Sequence, residues 1–555
     1  MTETVRERRV NPWVVLVVLS LGMFMTLLDL TIVNIAIPAL VDGINASLDQ
    51  VLWVLNAYSI AYAVLLITAG RVGDVVGPRN LFAVGLVVFT AASAFSGLAQ
   101  DPTMLIAGRA AQGVGAALLA PQTLAILLTL FPPERRGPVF ALFGILAGVA
   151  VVAGPTLGGF LVTNVGWRWI FFVNVPVGAA VIAAALVLVP DLRPGRRHRL
   201  DLAGVVLSTA ALFCIVFGLV EGERYDWGTV RGGVTIPEII GAGVLLLIGF
   251  VVHQALRQDR EPLLPFAVFR DRNFAVMTLV LCAMGFAIIG LYLPLTIYYQ
   301  SVLGLSAVAA GLTVAIQPLA MMVTSAVANG PAGERIDARY LVSAGLLMLA
   351  GGSAYIAWSA HASSGRWDFV PGLVLSGLGM GLIWGPVYSL ATRDLRPELG
   401  GVASGVLNTI QELGAVIASA SVGALLQNRL ATALHERAVE SASQLPAAFQ
   451  DRFVAGFSAA ARGGLEIGAG QTGGTLSLPP GVPAEVVAQV TALAHSTFAQ
   501  AFVDAMRPTL VLPIAVLALA AVLVLVAARG RRGAAAAGAG ADAAEAAERE
   551  AATAR

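Results

Sequence analysis

The chain has 555 residues, of which 57% are hydrophobic and only 12% charged, with a formal net charge of +1. A water-soluble globular chain carries about 25% charged residues, so the composition excludes that class and indicates an all-α integral membrane protein. The small net charge identifies no partner by itself, because the charges are segregated by loop.

Fourteen apolar segments are long enough to cross a bilayer, for which about 20 residues suffice. They lie at 13–38, 52–70, 80–98, 103–125, 138–160, 168–190, 202–220, 237–256, 274–297, 307–328, 339–359, 369–391, 402–428 and 508–528. The first could be mistaken for a signal peptide, since Arg6, Arg8 and Arg9 precede it. Its length, and the presence of Asp29 and Asn34, make it a retained helix. All 34 basic residues are arginine. With the N-terminus inside, 24 arginines fall in cytoplasmic segments, against four in the short outer loops (Arg168, Arg224, Arg231 and Arg366). This asymmetry follows the positive-inside rule and places both termini in the cytoplasm. Cys214 and Cys282 both lie in apolar segments, which leaves no disulfide framework.

Taken in chain order, the polar residues inside these spans are few. Asp29 lies near the middle of the first, where a carboxylate costs on the order of 2.5–3.5 kcal/mol. Such an acid is expected to carry protons, its burial favouring the neutral form. After the second span comes GRVGDVVGPR, Gly70 to Arg79. After the tenth comes GPAGERIDAR, Gly330 to Arg339. Aligned without gaps, the two share Gly70 with Gly330, Gly73 with Gly333, an acid at Asp74 and Glu334, and Arg79 with Arg339. This repeat implies an internal duplication, two six-helix halves with helices 7 and 8 between them, the substrate site lying near the midplane. Arg109 is the one arginine well inside a span. It stays charged, so it can hold a carboxylate or tune one but cannot carry the coupled proton. Gln112 is one turn away. In the fifth span, Gly144, Gly148, Gly154, Pro155, Gly158 and Gly159 allow close helix approach and a kink. Glu412, with Asn408 on the same face of helix 13, reads as a second proton carrier or a counter-charge for cationic substrates. Asn34, Asn56, Tyr58, Gln122, Tyr292, Tyr298, Gln317 and Trp384 are candidates to line a mostly apolar cavity. Glu221 and Asp226, near the outer end of helix 7, read as solvated.

These stretches resemble a known family. GRVGDVVGPR resembles the cytoplasmic signature loop of the major facilitator superfamily, LIAGRAAQGVGAA (Leu105 to Ala117) its fourth-helix arginine motif, and GVAVVAGPTLGG (Gly148 to Gly159) its fifth-helix antiporter motif. LDLTIVNIAIPAL and WRWIFFVNVPVG (Trp167 to Gly178) are similar to signatures of the fourteen-helix drug:proton antiporter branch. Asp29, Arg109 and Glu412 are read as the residues of proton coupling, although at Glu412 the resemblance implies only a polar residue and not necessarily an acid. It implies that Gly70, Gly73, Asp74, Arg79, Glu334 and Arg339 form a conformational lock, although for Arg79 alone a solvated turn is the better account. The glycine–proline motif would seal the inner halves against leak.

The expected organisation is a bundle over 1–195, two intervening membrane helices over 196–260, and a second bundle over 261–528. A long outer loop, 429–507, should form a small helical cap, and the low-complexity tail 529–555 should be cytoplasmic and disordered. The expected function is proton-coupled export of amphipathic, cationic compounds across the bacterial cytoplasmic membrane by a monomer, with no cofactor, metal or nucleic acid. Export of a self-made metabolite or a lipid is the transport alternative. A membrane-embedded enzyme is disfavoured, since the five histidines are scattered and a chain without lysine has no Walker A lysine. A receptor or scaffold would leave Asp29, Arg109 and the antiporter motif unexplained.

Overall fold

The computed structural model describes residues 11–44, 46, 48–132, 135–191, 200–225, 227–231, 233–259, 262–328, 333–395, 399–462 and 484–527. Within those ranges, side chains at some positions, Asn34, Gly148, Pro155 and Glu334 among them, lie outside the described residues, as do Asp226, Gly330 and the tail from 528 onward.

A backbone in lipid must satisfy its own hydrogen bonds, and long helices do so here. They run α1 (Pro12–Ile35), α2 (Ile37–Ile44), α3 (Leu48–Val76), α4 (Pro78–Gly97), α5 (Pro102–Leu130), α6 (Arg136–Asn164), α7 (Trp169–Phe172), α8 (Asn174–Leu188), α9 (Leu202–Glu221) and α10 (Ile236–Ala255). The second half continues with α11 (Ala267–Arg270), α12 (Arg272–Ile297), α13 (Ala307–Val314), α14 (Ile316–Ala328), α15 (Ala338–Ser359), α16 (Val370–Thr392), α17 (Gly400–Ala442), α18 (Ala447–Arg462) and α19 (Ala484–Val524). A two-stranded hairpin, β1 (Thr229–Arg231) and β2 (Val234–Thr235), joins α9 to α10. Thirteen helical stretches among the described residues are long and apolar enough to cross a membrane. The predicted fifth span falls in α6.

Helix starts follow local chemistry. Asp101, Asp201, Asp271 and Asp337 each accept a backbone N–H in the first turn of the helix that follows, which satisfies an orphan donor and complements the helix dipole. Proline at the start of α1, α4, α5, α10 and α16 gives up an N–H that has no intrahelical partner there.

In the first half, α3 and α4 pack on α5, and α1 on α6 and α8; in the second, α15 and α14 pack on α16, and α12 on α17 and α19. The halves meet where α3 and α5 face α17 and where α6 faces α13, α14 and α16. Helix α9 lies across the seam. Its Leu212 and Val216 share a core with Ile60, Ala63 and Val64 of α3 and Val416 of α17.

The predicted loop 429–507 is largely an extension of two membrane helices. α17 runs unbroken past residue 428, and α19 begins well before residue 508 with Pro508 and Pro513 inside it. Phe453, Phe457, Val490, Phe498 and Phe502 join Tyr298, Tyr299, Phe369 and Leu430 in one core, so the cap is fused to the second bundle. The Gly-rich break, 463–483, lies outside the described residues.

Candidate functional site

Asp29 of α1 is fully buried. Its carboxylate is ion-paired with Arg109 of α5, accepts from Gln112 Nε2 at 3.1 Å and accepts from Asn174 Nδ2 of α8 at 3.3 Å. Arg109 also donates to Gln112 Oε1 at 3.0 Å and, through Nε, to the Val54 carbonyl of α3 at 3.3 Å. Its guanidinium lies 4.5 Å from the centre of the Tyr58 ring, a cation–π contact. Asn174 donates in turn to Ser93 Oγ of α4 at 3.1 Å, and the Ser93 hydroxyl donates to the Phe171 carbonyl at 2.9 Å. Five helices of the first bundle thus share one network, with α5 and α8 donating directly to the α1 carboxylate.

The arrangement answers the energetic problem of an acid in the membrane. Two buried charges are tolerated when their geometry is good and their remaining hydrogen-bonding capacity is filled; removing one partner typically costs about 3–5 kcal/mol. Arginine keeps its charge. Protonating the carboxylate therefore changes the charge of the buried cluster and weakens every bond it accepts. The residue that sequence reading missed is Asn174, the one amide in the apolar stretch WRWIFFVNVPVG. Its isolation among apolar neighbours was the available signal.

The glycines of α6 bring this helix against α1 two residues beyond Asp29. A Cβ on Gly154 would lie 2.0 Å from Thr31 Oγ1, and one on Gly158 would lie 2.7 Å from an Ile32 side-chain carbon. Gly159 is half-buried on the same helix.

At the other end of α3 the two bundles touch through backbone. A Cβ on Gly70 would lie 2.5 Å from the Gly401 carbonyl oxygen, and one on Gly401 would lie 2.2 Å from Asp74 Oδ1. Asp74 accepts from the Val402 backbone amide, so it sits at the N-terminus of α17, where an anion is favoured. Arg71 lies 3.9 Å from it. Arg79 donates to the Leu186 carbonyl of α8. Arg339 is paired with Asp337 at 3.1 Å and donates to the Ala527 carbonyl beyond α19 at 3.1 Å. Gln122 is fully buried in this junction, against Gly73 and bonded to the Ala69 carbonyl at 2.8 Å.

Between the bundles, Glu412 of α17 is half-buried, and among the described residues no hydrogen bond holds its carboxylate. Tyr58 and Tyr62 of α3 and Tyr388 of α16 are its neighbours. Tyr58 stacks on Tyr62, and Trp384 on Tyr388, with ring centres 6.2 Å apart in each pair. Asn408 instead bonds back to the Ser404 carbonyl at 2.8 Å. Tyr292 donates to Gln317 Oε1 at 2.6 Å beside a small cavity within the second bundle that Ser353, Ser376 and Met380 also line. Tyr298 belongs to the core beneath the cap. Asn56 does not stand free: it donates to Glu221 Oε1 at 3.0 Å. Glu221 itself is only 1% exposed, which corrects its reading as solvated. Arg224 pairs with it at 3.0 Å.

A family model described as Major Facilitator Superfamily matches residues 19–419. The chain belongs to the major facilitator superfamily. It is 41% identical over 424 residues to an uncharacterised MFS-type transporter of Mycobacterium tuberculosis, Rv1250, covering 76% of this chain and 71% of that one. It is 34% identical over 492 residues to the tetracenomycin C resistance and export protein of Streptomyces glaucescens, covering 88% and 87%. Among solved structures, that of the human organic anion transporter MFSD10 has a TM-score of 0.55 at 14% identity, over 91% of this chain and 99% of that one, and shows the fold. This facilitator chain is accordingly a multi-pass membrane transporter of small molecules rather than an enzyme.

Proposed function

We propose that the protein is a proton-coupled antiporter of the fourteen-helix drug:proton branch, exporting amphipathic, cationic compounds by alternating access. The observation that carries the reading is the buried Asp29–Arg109 pair with Gln112 and Asn174 around it. Proton binding at Asp29 leaves Arg109 without its counter-charge in that cluster, and the Gly154 contact with Thr31 ties α1 to α6, which faces the second bundle. Glu412, between two stacked aromatic pairs contributed by opposite bundles, supplies a counter-charge and cation–π faces for an organic cation. Asp74 against the N-terminus of α17 holds the bundles together at the cytoplasmic end. The protein works as a monomer in the bacterial cytoplasmic membrane with both termini inside.

A second reading, export of a compound the cell itself makes, has support in the name of the Streptomyces relative, a resistance and export protein. The lipid variant has less, since among its described residues the cap surface carries few exposed large apolar side chains, Val439 and Val487 among them. Ethidium uptake into inverted vesicles, driven by an acid interior, tests the main reading. Uptake abolished by a protonophore is expected; uptake indifferent to it refutes proton coupling.

A further inference from the structure

Close glycine contacts set the duplicated positions of the two bundles in register. A Cβ on Gly85 would lie 2.9 Å from the Gly115 carbonyl oxygen, and one on Gly345 would lie 2.6 Å from that of Gly379. A Cβ on Gly113 would meet the Tyr58 carbonyl oxygen at 2.4 Å, and one on Gly377 would meet that of Gln317 at 2.2 Å. Ser353 of α15 therefore stands where α4 has Ser93, Ser376 of α16 where α5 has Gln112, and Gln317 of α14 where α3 has Tyr58. Leu373, fully buried, takes the place of Arg109. The region that holds an ion pair in the first bundle holds the small cavity in the second.

The cavity walls are mostly apolar, Leu291, Leu349 and Ile356 among them, and its polar groups are unevenly satisfied. Tyr292 donates to Gln317 Oε1 at 2.6 Å, which turns the amide nitrogen toward Met380. There Gln317 Nε2 has only the Met380 thioether as its acceptor among the described residues, at 3.1 Å, and sulfur accepts weakly. Ser353 already donates to the Leu349 carbonyl of its own helix at 2.7 Å. Ser376 is 2% exposed, and its hydroxyl has no hydrogen-bond partner among the described residues. Buried polar groups are normally paired. Two donors, the Ser376 hydroxyl and the Gln317 amide, thus face a cavity that supplies them no good acceptor.

The cavity also adjoins the aromatic faces near Glu412. Met380, Trp384 and Tyr388 follow at four-residue intervals on α16, so they share one face, each step rising about 6 Å. Met380 lines the cavity, and Trp384 stacks on Tyr388.

We propose that this cavity is a second subsite for cargo, taking an uncharged oxygen acceptor, a carbonyl, carried on a small apolar group. The carbonyl oxygen accepts from the Ser376 hydroxyl and Gln317 Nε2, the apolar walls cover the rest, and the flexible Met380 side chain adapts to the shape that enters. A molecule without the acceptor leaves both donors unpaired and is discriminated against. The inference rests on the export reading and deepens it: the cargo has a cationic end beside Glu412 and a carbonyl-bearing apolar end about one helical turn away.

The test needs neither a proton gradient nor a cation. The full chain is labelled with 3-fluorotyrosine at its nine tyrosines, and Tyr292→Phe identifies the fluorine NMR signal of the cavity wall. Acetophenone and ethylbenzene, alike in shape apart from the carbonyl, are titrated into the protein in nanodiscs. Partition into lipid affects wild type and variants alike, so the reading is the ratio of the two midpoints of the Tyr292 shift. The preference for acetophenone is expected to be about fivefold greater in wild type than in Ser376→Ala. Ser376→Ala removes a hydroxyl that holds no other group, and Gln317→Met, the second variant, should lose the preference likewise. Ser353→Ala should keep the wild-type ratio, since that hydroxyl is engaged within its own helix. No shift of the Tyr292 signal with either probe, an unchanged ratio in Ser376→Ala, or an equal fall in Ser353→Ala overturns the subsite. Failure of ethidium transport would count against the export reading and would leave this ratio unaffected.

Discussion

Arg79 and Arg339 occupy matching places in the two halves: each donates to a carbonyl at the C-terminal end of its own bundle's last helix, Leu186 in one case and Ala527 in the other. A cation there satisfies an orphan carbonyl and complements the negative end of the dipole. The repeated loop therefore has a repeated structural task, whatever its acids do. Arg79→Ala and Arg339→Ala should each lower stability by about 1–3 kcal/mol, the second more because Arg339 is buried and paired with Asp337. Thermal unfolding in detergent checks this; a larger loss for Arg79→Ala would contradict it.

Gly154→Leu should separate α1 from α6. The new side chain meets Thr31, and overpacking of this kind costs about 1–3 kcal/mol. Thr31→Ala in the same chain should recover some of the lost stability and proton-driven uptake. No recovery would mean that the glycine serves something other than room for Thr31.

Glu412→Gln removes a charge and little volume. For a permanently charged probe such as ethidium, KM should rise on the order of tenfold, equivalent to about 1.4 kcal/mol. Affinity for an uncharged probe should hardly change. Equal losses for both would make Glu412 a structural or proton-carrying group and not a counter-charge.

Much of the fold is legible in the sequence because apolar length alone defines a membrane helix, and because Pro, Asp and Gly punctuate the helix ends. Span ends at α17 and α19 were not, since hydropathy falls off while helix-forming residues such as those from Arg429 to Ala442 continue the helix into the cap. Asp29 and Arg109 stand out individually as charges in apolar runs. That they pair is a contact between distant helices, and nothing in either local sequence announces it. Glu221 misled for the opposite reason: an acid at a helix end beside an arginine looks solvated, and its contact with Asn56 of α3 is made between distant helices.

Asp201 gives a pH dependence with a definite sign. Burial pushes its pKa up, but the Gly204 amide, His253, Gln254 and the charge of His253 outweigh that and hold it below the usual carboxylate range. A pKa lowered by folding stabilises the fold above the unfolded value, about 3.9, and that contribution is lost as pH falls through the folded value. Asp201→Asn should therefore be less stable than wild type at neutral pH, the gap narrowing below about pH 4. A gap that widens on acidification would contradict the assignment.

The central claim is that a proton on Asp29 drives transport, and the most direct measurement compares wild type with Asp29→Asn in inverted vesicles with an acid interior. Asparagine retains an oxygen to accept from Gln112 and Asn174 but leaves Arg109 without its counter-ion. Ethidium uptake should be proton-driven and protonophore-sensitive in wild type, and absent in the variant even when the variant reaches the membrane and runs as a single species in detergent. Normal proton-driven uptake by Asp29→Asn would contradict the account.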